Sequence, residues 1–296
     1  MKQNREGVET MDGYWVTRTY QAGPVGEKLR FWVPGRRPES IKAAKGDRRL
    51  KKAAQNQQNA VKTLARVLNE NFREGDVLLG LDYSDKALAS LRRRIPGWEQ
   101  LDPDEQILTE WAEARRECAR FVQRLQYRAK KAGLELRYVA TTSDMDASTG
   151  ELKRVHHHLI VNREARDLVL SAWKLGGADL EPLSAQPDYT PVAAYLLSQV
   201  RHVEDAKKYT SSRNLRRPEP KDKISRGDTV LRAPRGALLL DAGRNVPGQV
   251  QYVRYVIPDA ATEGEEVLRK GVLSLKVSDW HRRITPGMEK AMEGMG

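Results

Sequence analysis

Three consecutive histidines, His156, His157 and His158, lie in an apolar stretch of a chain that has only five histidines. The β-branched and apolar residues around them predict a buried β-strand over 152–161. Because side chains alternate between the faces of a strand, we expect His156 and His158 on one face and His157 on the other. Two imidazoles one pleat apart can share a divalent ion. The spacing predicts a metal site on His156 and His158; the alternative is a set of hydrogen-bonded core histidines.

This segment is similar to a motif of a known enzyme family. His156–Val161 resembles the His-hydrophobic-His motif, followed by three apolar residues, of the HUH single-strand DNA endonucleases, which include rolling-circle replication initiators, relaxases and related transposases. The middle position is His157 rather than an aliphatic residue, while the outer pair is retained. The resemblance implies a palm-like, ferredoxin-like sheet with the histidines on a central strand. It also implies a divalent metal cofactor, Mg²⁺ or Mn²⁺, and single-stranded DNA as substrate.

A tyrosine lies near the start of a helix predicted over about 190–201. Thr190 as N-cap and Pro191 at the first helical position place Tyr195 one turn inside this helix. A helical tyrosine is more often a packing residue, but Tyr195 resembles the active tyrosine of HUH enzymes. A phenol of ordinary pKa, about 10, needs a cation or base to act as a nucleophile. Tyr189 would lie roughly 120° away around a helix, so we expect a single catalytic tyrosine.

The cation that assists the phosphate is not fixed by the sequence. The family often carries a lysine three residues after the tyrosine, and Ser198 occupies that position here. Lys207 and Lys208, just beyond the helix, are the candidates for this role.

A basic segment follows the tyrosine helix. The residues from Tyr209 to Pro218 resemble the Ser-Arg-Asn-Leu-basic-Pro stretch of replication proteins from bacterial mobile elements and some phages. Residues 69–76 are similar to the same group, so the resemblance covers roughly 45–220. The alternative is an ordinary basic loop. Guanidinium and amide groups suit phosphate and base contacts, and the predicted DNA-binding residues are Arg213, Asn214, Arg216 and Arg217.

The third metal ligand is open between two aspartates. In the family an acidic residue near the end of the second core strand often completes the site, and the matching position here is about Thr142. Asp144 lies two residues further on, and Asp82 ends the neighbouring predicted strand. We favour Asp82, because a strand holds its side chains more rigidly than a turn.

The elements that must position these residues follow the order β-α-β-β-α-β-α from 76 to 201. An antiparallel sheet with helices on one face is the natural arrangement, so the predicted class is α+β. The predicted organisation has three parts: 1–75, a β-hairpin and helix; 76–225, the endonuclease core; and 226–296, a β-rich extension and tail.

Charge and cysteine content narrow the function classes. The formal net charge is +12, and it is concentrated in residues 36–52 and 207–235, which favours a polyanionic partner. Cys118 is the only cysteine, which excludes an intrachain disulfide and a cysteine zinc site and fits a reducing compartment. The absence of a run of about 18 apolar residues and of an apolar signal core predicts a cytoplasmic protein without membrane contact.

These features together favour an HUH-type endonuclease that nicks and rejoins single-stranded DNA at a replication origin to initiate rolling-circle replication. A host helicase is a further expected partner. The strongest alternative is a basic single-stranded nucleic-acid-binding protein that keeps the fold but not the chemistry. A phosphodiesterase that uses a metal-bound water is a third possibility, and it needs no tyrosine.

Overall fold

The computed structural model describes residues 13–34, 45–201, 206–225, 227, 229–245 and 249–258. Along the chain the elements are β1 (Gly13–Ala22), β2 (Val25–Pro34), α1 (Lys45–Asn71), β3 (Val77–Asp82), α2 (Asp85–Arg92), α3 (Pro103–Lys131), β4 (Tyr138–Met145), β5 (Leu152–Val161), α4 (Arg166–Ala172), β6 (Ala178–Pro182), α5 (Thr190–Ser198), β7 (Thr210–Ser211), β8 (Lys221–Ser225), β9 (Leu238–Arg244) and β10 (Val250–Val256). None of the helices among these residues is long and apolar enough to cross a membrane.

The unit formed by residues 56–217 contains the histidine strand. Its sheet has the order β6-β3-β5-β4-β7, and every neighbouring pair is antiparallel. The elements β3, α3, β4, β5, α4 and β6 give the β-α-β-β-α-β order of a ferredoxin-like unit, with β5 at the centre of the sheet. The predicted α+β class is confirmed.

Helices cover both faces of this sheet. On one face the core joins β-strand residues such as Leu79 and Leu159 to α2, α3 and α4. On the other face Leu78 and Ile160 pack against the second half of α1 and against α5. The expectation of helices on one face therefore holds for the helices that connect the strands. It is wrong for α5, the last helix of the predicted order, which buries the second face together with α1.

Helix α3, which packs on the first face, has a capping box at its start. The Asp102 carboxylate accepts from the Glu105 backbone N–H at 2.8 Å, and the Glu105 side chain accepts from the Asp102 N–H, which completes a capping box ahead of Pro103. At the other end Gly133 adopts a left-handed conformation with φ 66°, which lets the chain leave the helix.

The N-terminal hairpin belongs to a second unit, formed by residues up to 55 and by 218–262. Its sheet has the order β8-β1-β2-β10-β9, all antiparallel. The predicted boundaries at 75 and 225 separated the hairpin from the C-terminal strands and assigned all of α1 to the N-terminal part. The structure instead joins hairpin and C-terminal strands, because β10 pairs with β2 along the whole length of β10, and it assigns residues 56–71 of α1 to the histidine unit.

Candidate metal and tyrosine site

The register of the central sheet aligns the polar residues of three strands. His156 pairs with Asp82 on β3 and with Ser143 on β4, and His158 pairs with Thr141 on β4. Directly opposite residues of antiparallel strands point to the same face. These five side chains therefore share one face of the sheet, the face covered by α1 and α5, which we call the histidine face.

The two outer histidines converge through their Nε2 atoms, which lie 3.2 Å apart. The Nδ1 of His156 is 3.0 Å from the Arg154 carbonyl oxygen. Since a carbonyl only accepts, this Nδ1 carries a proton and the Nε2 lone pair of neutral His156 is directed at His158. Two imidazoles bound at 2.0–2.1 Å to one ion with a tetrahedral angle would place their nitrogens about 3.3 Å apart. The pair fits a divalent metal.

His158 is held by the tyrosine helix. Its ring lies 5.4 Å from the Tyr195 ring, centroid to centroid, in an edge-on contact, and the buried Gln199 side chain forms a hydrogen bond with it. Burial, followed by the neighbouring His156, lowers the pKa of His158 to about 4. This histidine is therefore neutral at physiological pH, the form in which imidazole binds metals.

The middle histidine points to the opposite face, where it is fully buried. Its Nε2 lies 2.7 Å from the Tyr83 hydroxyl and its Nδ1 lies 3.1 Å from the Thr142 hydroxyl. Burial lowers the pKa of His157 to about 3, which keeps it neutral. His157 is thus a hydrogen-bonded core residue, and both of its ring nitrogens have partners within the protein.

The two tyrosines of the α5 region differ in their surroundings. Tyr195 is half-buried on the histidine face. Tyr189 is buried in the core, its hydroxyl lies 3.5 Å from the Ser184 carbonyl, and burial raises its pKa to about 12. The helix begins one residue earlier than expected: Tyr189 is the N-cap, and the carboxylate of Asp188 accepts from the Thr190 N–H and hydroxyl.

The two candidate third ligands lie in different environments. Asp82 is exposed at the end of β3, directly opposite His156. Asp144 is buried in the β-bulge between Ser143 and Met145 and pairs with a cation. Over the described part of the chain, no three His, Cys, Asp or Glu side chains are gathered closely enough to hold a metal together. Among the described residues, the candidate metal site therefore consists of two positioned imidazole nitrogens, with Asp82 directly opposite His156.

The cation that pairs with Asp144 is Arg201. Its Nε donates to Oδ2 at 2.9 Å, and its Nη2 lies 2.7 Å from the same oxygen. The Arg201 side chain keeps 23% of its surface exposed, whereas that of Asp144 keeps 4%. Arg201 follows Gln199 by two residues, so the pair lies at the same end of α5 that holds His158.

Three polar atoms on β4 lack hydrogen-bond partners among the described residues: Thr141 Oγ1, Ser143 Oγ and Asp144 Oδ1. All three residues are buried, and buried polar groups are normally satisfied. Their grouping opposite the histidine pair marks a position that a water, an ion or a substrate oxygen would complete.

The two lysines predicted to assist the phosphate lie elsewhere. Lys207 is exposed and lines a cavity on the α3 side of the sheet, together with Ala140 and Thr142. The Lys208 amine contacts the Gln57 side chain of α1, and burial lowers its pKa. Nothing in these contacts directs either amine to the histidine pair, whereas Arg201 follows the tyrosine helix two residues after Gln199, which contacts His158.

The predicted DNA-binding segment packs at the opposite end of β4. Ser211 pairs with Val139 at the edge of the sheet, two residues along β4 from the His158 row and four from the His156 row. The Asn214 amide donates to Glu135 Oε1 at 3.1 Å and to the Leu136 carbonyl at 3.2 Å, so it holds the loop in place. The side chains of Arg213, Arg216 and Arg217 are exposed, and Arg217 donates to the Ser211 hydroxyl.

Two residues of this site escaped the sequence analysis. Gln199 and Arg201 follow Tyr195 by four and six residues. The only available signal was position, since a residue four places along a helix lies on the same face as Tyr195. The pairing of Arg201 with Asp144 spans 57 residues and has no local signature.

Comparison of the chain with protein-family models, with curated proteins and with solved structures finds no match in any of the three.

Proposed function

We propose that the protein is an HUH-type endonuclease that nicks and rejoins single-stranded DNA at a replication origin and so initiates rolling-circle replication. The observation that supports this most directly is the convergence of the His156 and His158 Nε2 atoms, 3.2 Å apart, beside the ring of Tyr195. A metal-binding pair and a candidate nucleophile thus share one face of a ferredoxin-like sheet.

Four side chains of the site would have distinct roles in such a reaction. His156 and His158 would hold a divalent Mg²⁺ or Mn²⁺ ion, which supplies Lewis-acid polarisation of the scissile phosphate when bound. Arg201, fixed by Asp144, lies just beyond the end of α5 and would neutralise charge on the transferring phosphoryl group. Gln199 keeps the His158 ring in its orientation.

The covalent step exchanges one phosphodiester for another. The Tyr195 oxygen loses its proton and forms a bond to phosphorus, and the bond between phosphorus and the 3′-oxygen breaks. The released 3′-oxygen takes up a proton, which leaves a 5′-phosphotyrosine and a free 3′-hydroxyl. Attack of a 3′-hydroxyl on the phosphotyrosine reverses the exchange and rejoins the strand, so no oxidant, reductant or nucleotide is needed.

The experiment is an adduct assay with Tyr195→Phe and Tyr189→Phe. Wild-type protein is incubated with a labelled single-stranded origin oligonucleotide and Mn²⁺, and covalent adduct is measured on a denaturing gel. We expect Tyr195→Phe to abolish the adduct while retaining DNA binding. Tyr189→Phe is the matched control, because its hydroxyl is buried in the core.

The outcomes separate the three function classes. Adduct that persists in Tyr195→Phe, mapped by mass spectrometry to another tyrosine, would overturn the assignment of the nucleophile. Cleavage without any adduct would favour a phosphodiesterase that uses water. Binding without cleavage would favour the non-catalytic nucleic-acid-binding protein, which Ser198 at the usual lysine position and the incomplete ligand set both support.

A further inference from the structure

A groove runs along α3 on the face of the sheet opposite the histidine pair. It consists of three adjoining cavities of about 410, 360 and 780 Å³. Trp111 lines the first and the second, and Ala119 and Thr210 line the second and the third. We call these three cavities together the α3 groove.

The middle cavity is basic. Over the described part of the chain, its lining includes Arg115, Arg116, Lys207 and Lys208 and no acidic residue. Arg116 forms an ion pair with Glu113 at 3.0 Å. By contrast, no carboxylate among the described residues pairs with Arg115 or Lys207, and Arg115 lies 5.4 Å over the Trp111 ring. One guanidinium and one ammonium group that lack a carboxylate partner among the described residues favour an anionic occupant of the groove.

The rest of the groove suits a chain rather than a small anion. From Trp111 to Lys130 the α3 axis rises about 28 Å at 1.5 Å per residue. The middle cavity also has an apolar floor, formed by Ala112, Ala119 and Ala140, and the ring of Tyr209. The far cavity adds Gln123, Gln126 and the cation Arg213. Cations beside apolar and aromatic surface are what single-stranded nucleic acid binds, through its phosphates and its bases respectively.

One end of the groove reaches the histidine end of the sheet. The first cavity is lined by Asp144 and Val155, which adjoin Ser143 and His156 in sequence, and its charges are mixed: Arg92 and Lys153 beside Glu99, Glu110 and Asp144. This end of the groove therefore lies at the same end of β4 and β5 as the His156 row. The opposite end lies at Arg213.

We infer that the α3 groove binds a single nucleic-acid strand, with phosphates on Arg115 and Lys207 and bases against its apolar floor, and leads that strand to the histidine end of the sheet. This inference rests on the proposed function for the identity of the strand, which is DNA. It adds Arg115 on α3, which lies outside both of the charge-rich segments of the sequence, 36–52 and 207–235, to Lys207, which lies within the second.

The test measures binding by fluorescence anisotropy of a labelled single-stranded oligonucleotide of mixed sequence, without metal. Arg115→Glu and Lys207→Glu should each weaken binding about ten-fold and reduce the log-log salt slope by about 0.7 per lost phosphate contact. Arg128→Glu is the matched control: this residue is exposed on α3, carries the same charge and lies outside the groove. Because Arg115 stacks on Trp111, Arg115→Gln and thermal unfolding of each variant separate lost contacts from lost stability.

Two results would overturn the inference that the α3 groove binds a nucleic-acid strand. One is equal weakening by Arg128→Glu and Arg115→Glu, and the other is full displacement of the strand by poly-glutamate at equal charge, which would indicate an acidic peptide as the occupant. A strand containing 4-thiothymidine should cross-link to Tyr209 or Trp111. Failure of this inference is distinguishable from failure of the proposed function. If wild type forms the adduct and Arg115→Glu binds DNA as wild type does, only the groove inference is refuted. If the groove variants weaken binding but wild type forms no adduct, only the endonuclease proposal is refuted.

Discussion

The Arg201 guanidinium contacts only one oxygen of the Asp144 carboxylate: Nε and Nη2 lie 2.9 and 2.7 Å from Oδ2. The other oxygen, Oδ1, has no hydrogen-bond partner among the described residues. A one-sided pair of this kind, next to two buried hydroxyls without partners, indicates a cation positioned for a ligand rather than an ion pair that satisfies itself. Because Arg201 occupies Oδ2, Asp144 is also less available as a metal ligand.

The first prediction concerns this cation. Arg201→Lys keeps the positive charge but loses the planar guanidinium that contacts Asp144 through two nitrogens. Arg201→Ala also leaves the buried Asp144 carboxylate unpaired, which costs about 3–5 kcal/mol of stability. We expect adduct formation to slow at least ten-fold in Arg201→Lys, with Mn²⁺ affinity unchanged by calorimetry. The rates are compared at saturating DNA, so that weaker binding does not lower them, and Lys207→Ala is the comparison, since Lys207 lies on the α3 side. A slower adduct in Lys207→Ala and not in Arg201→Lys would return the role to the lysine.

The second prediction concerns the metal. His156→Ala and His158→Ala should each abolish calorimetric Mn²⁺ binding, because each removes one of two converging nitrogens. His157→Leu should keep the metal but destabilise the fold by about 1–3 kcal/mol, since it leaves the buried Tyr83 and Thr142 hydroxyls without their partner. An aliphatic residue there is therefore tolerated less well than the family pattern suggests. Loss of Mn²⁺ in His157→Leu together with retention in His158→Ala would contradict the register of β5.

The third prediction concerns pH. Burial lowers the pKa of His157 to about 3 and that of His158 to about 4, while both have a pKa of about 6.5 when unfolded. The unfolded chain then binds more protons, so this stabilisation is complete above pH 6.5 and is lost as the pH falls toward 4.

For each histidine the loss is on the order of 3 kcal/mol. Urea unfolding at pH 7.5, 5.5 and 4.5 with chelator present measures it, and His157→Leu should show a shallower dependence than wild type. Parallel pH curves for the two proteins would refute the assignment of His157 as a buried neutral residue.

The fourth prediction separates structural from DNA-contacting residues in the basic loop. Asn71 donates to the Arg216 carbonyl and accepts from the Arg216 N–H, both at 2.8 Å, so Asn71→Ala should lower the free energy of unfolding by about 1–3 kcal/mol. Asn214→Ala should act in the same way. Neither should change the salt slope of DNA binding.

Charge reversal at Arg213, Arg216 and Arg217 should instead flatten that slope by about 2, at about 0.7 per phosphate, with little change in stability. Equal salt slopes in wild type and in the triple variant would mean that these guanidinium groups are only solvated.

The elements built from local signals were predicted well from the sequence. The strand over 152–161 has the predicted bounds, because β-branched and apolar residues and the period of two are properties of the strand itself. The start of α3 at Pro103, after the N-cap Asp102, is likewise encoded locally, by a capping box within four residues. The opposite faces of His156 and His157 follow from the pleat alone.

Only the tertiary structure decided which distant residues meet. The partners of His157, Tyr83 and Thr142, come from two other strands or their ends, and Arg201 meets Asp144 across 57 residues. The hairpin joins strands near the other end of the chain, where Arg18 and Asp222 form an ion pair 204 residues apart. Such pairs depend on strand register, on the bulge at Asp144 and on packing of helices over both faces. None of these leaves a periodic pattern in the sequence, so the histidine pair could be predicted from local alternation, and its cation and its buried supports could not.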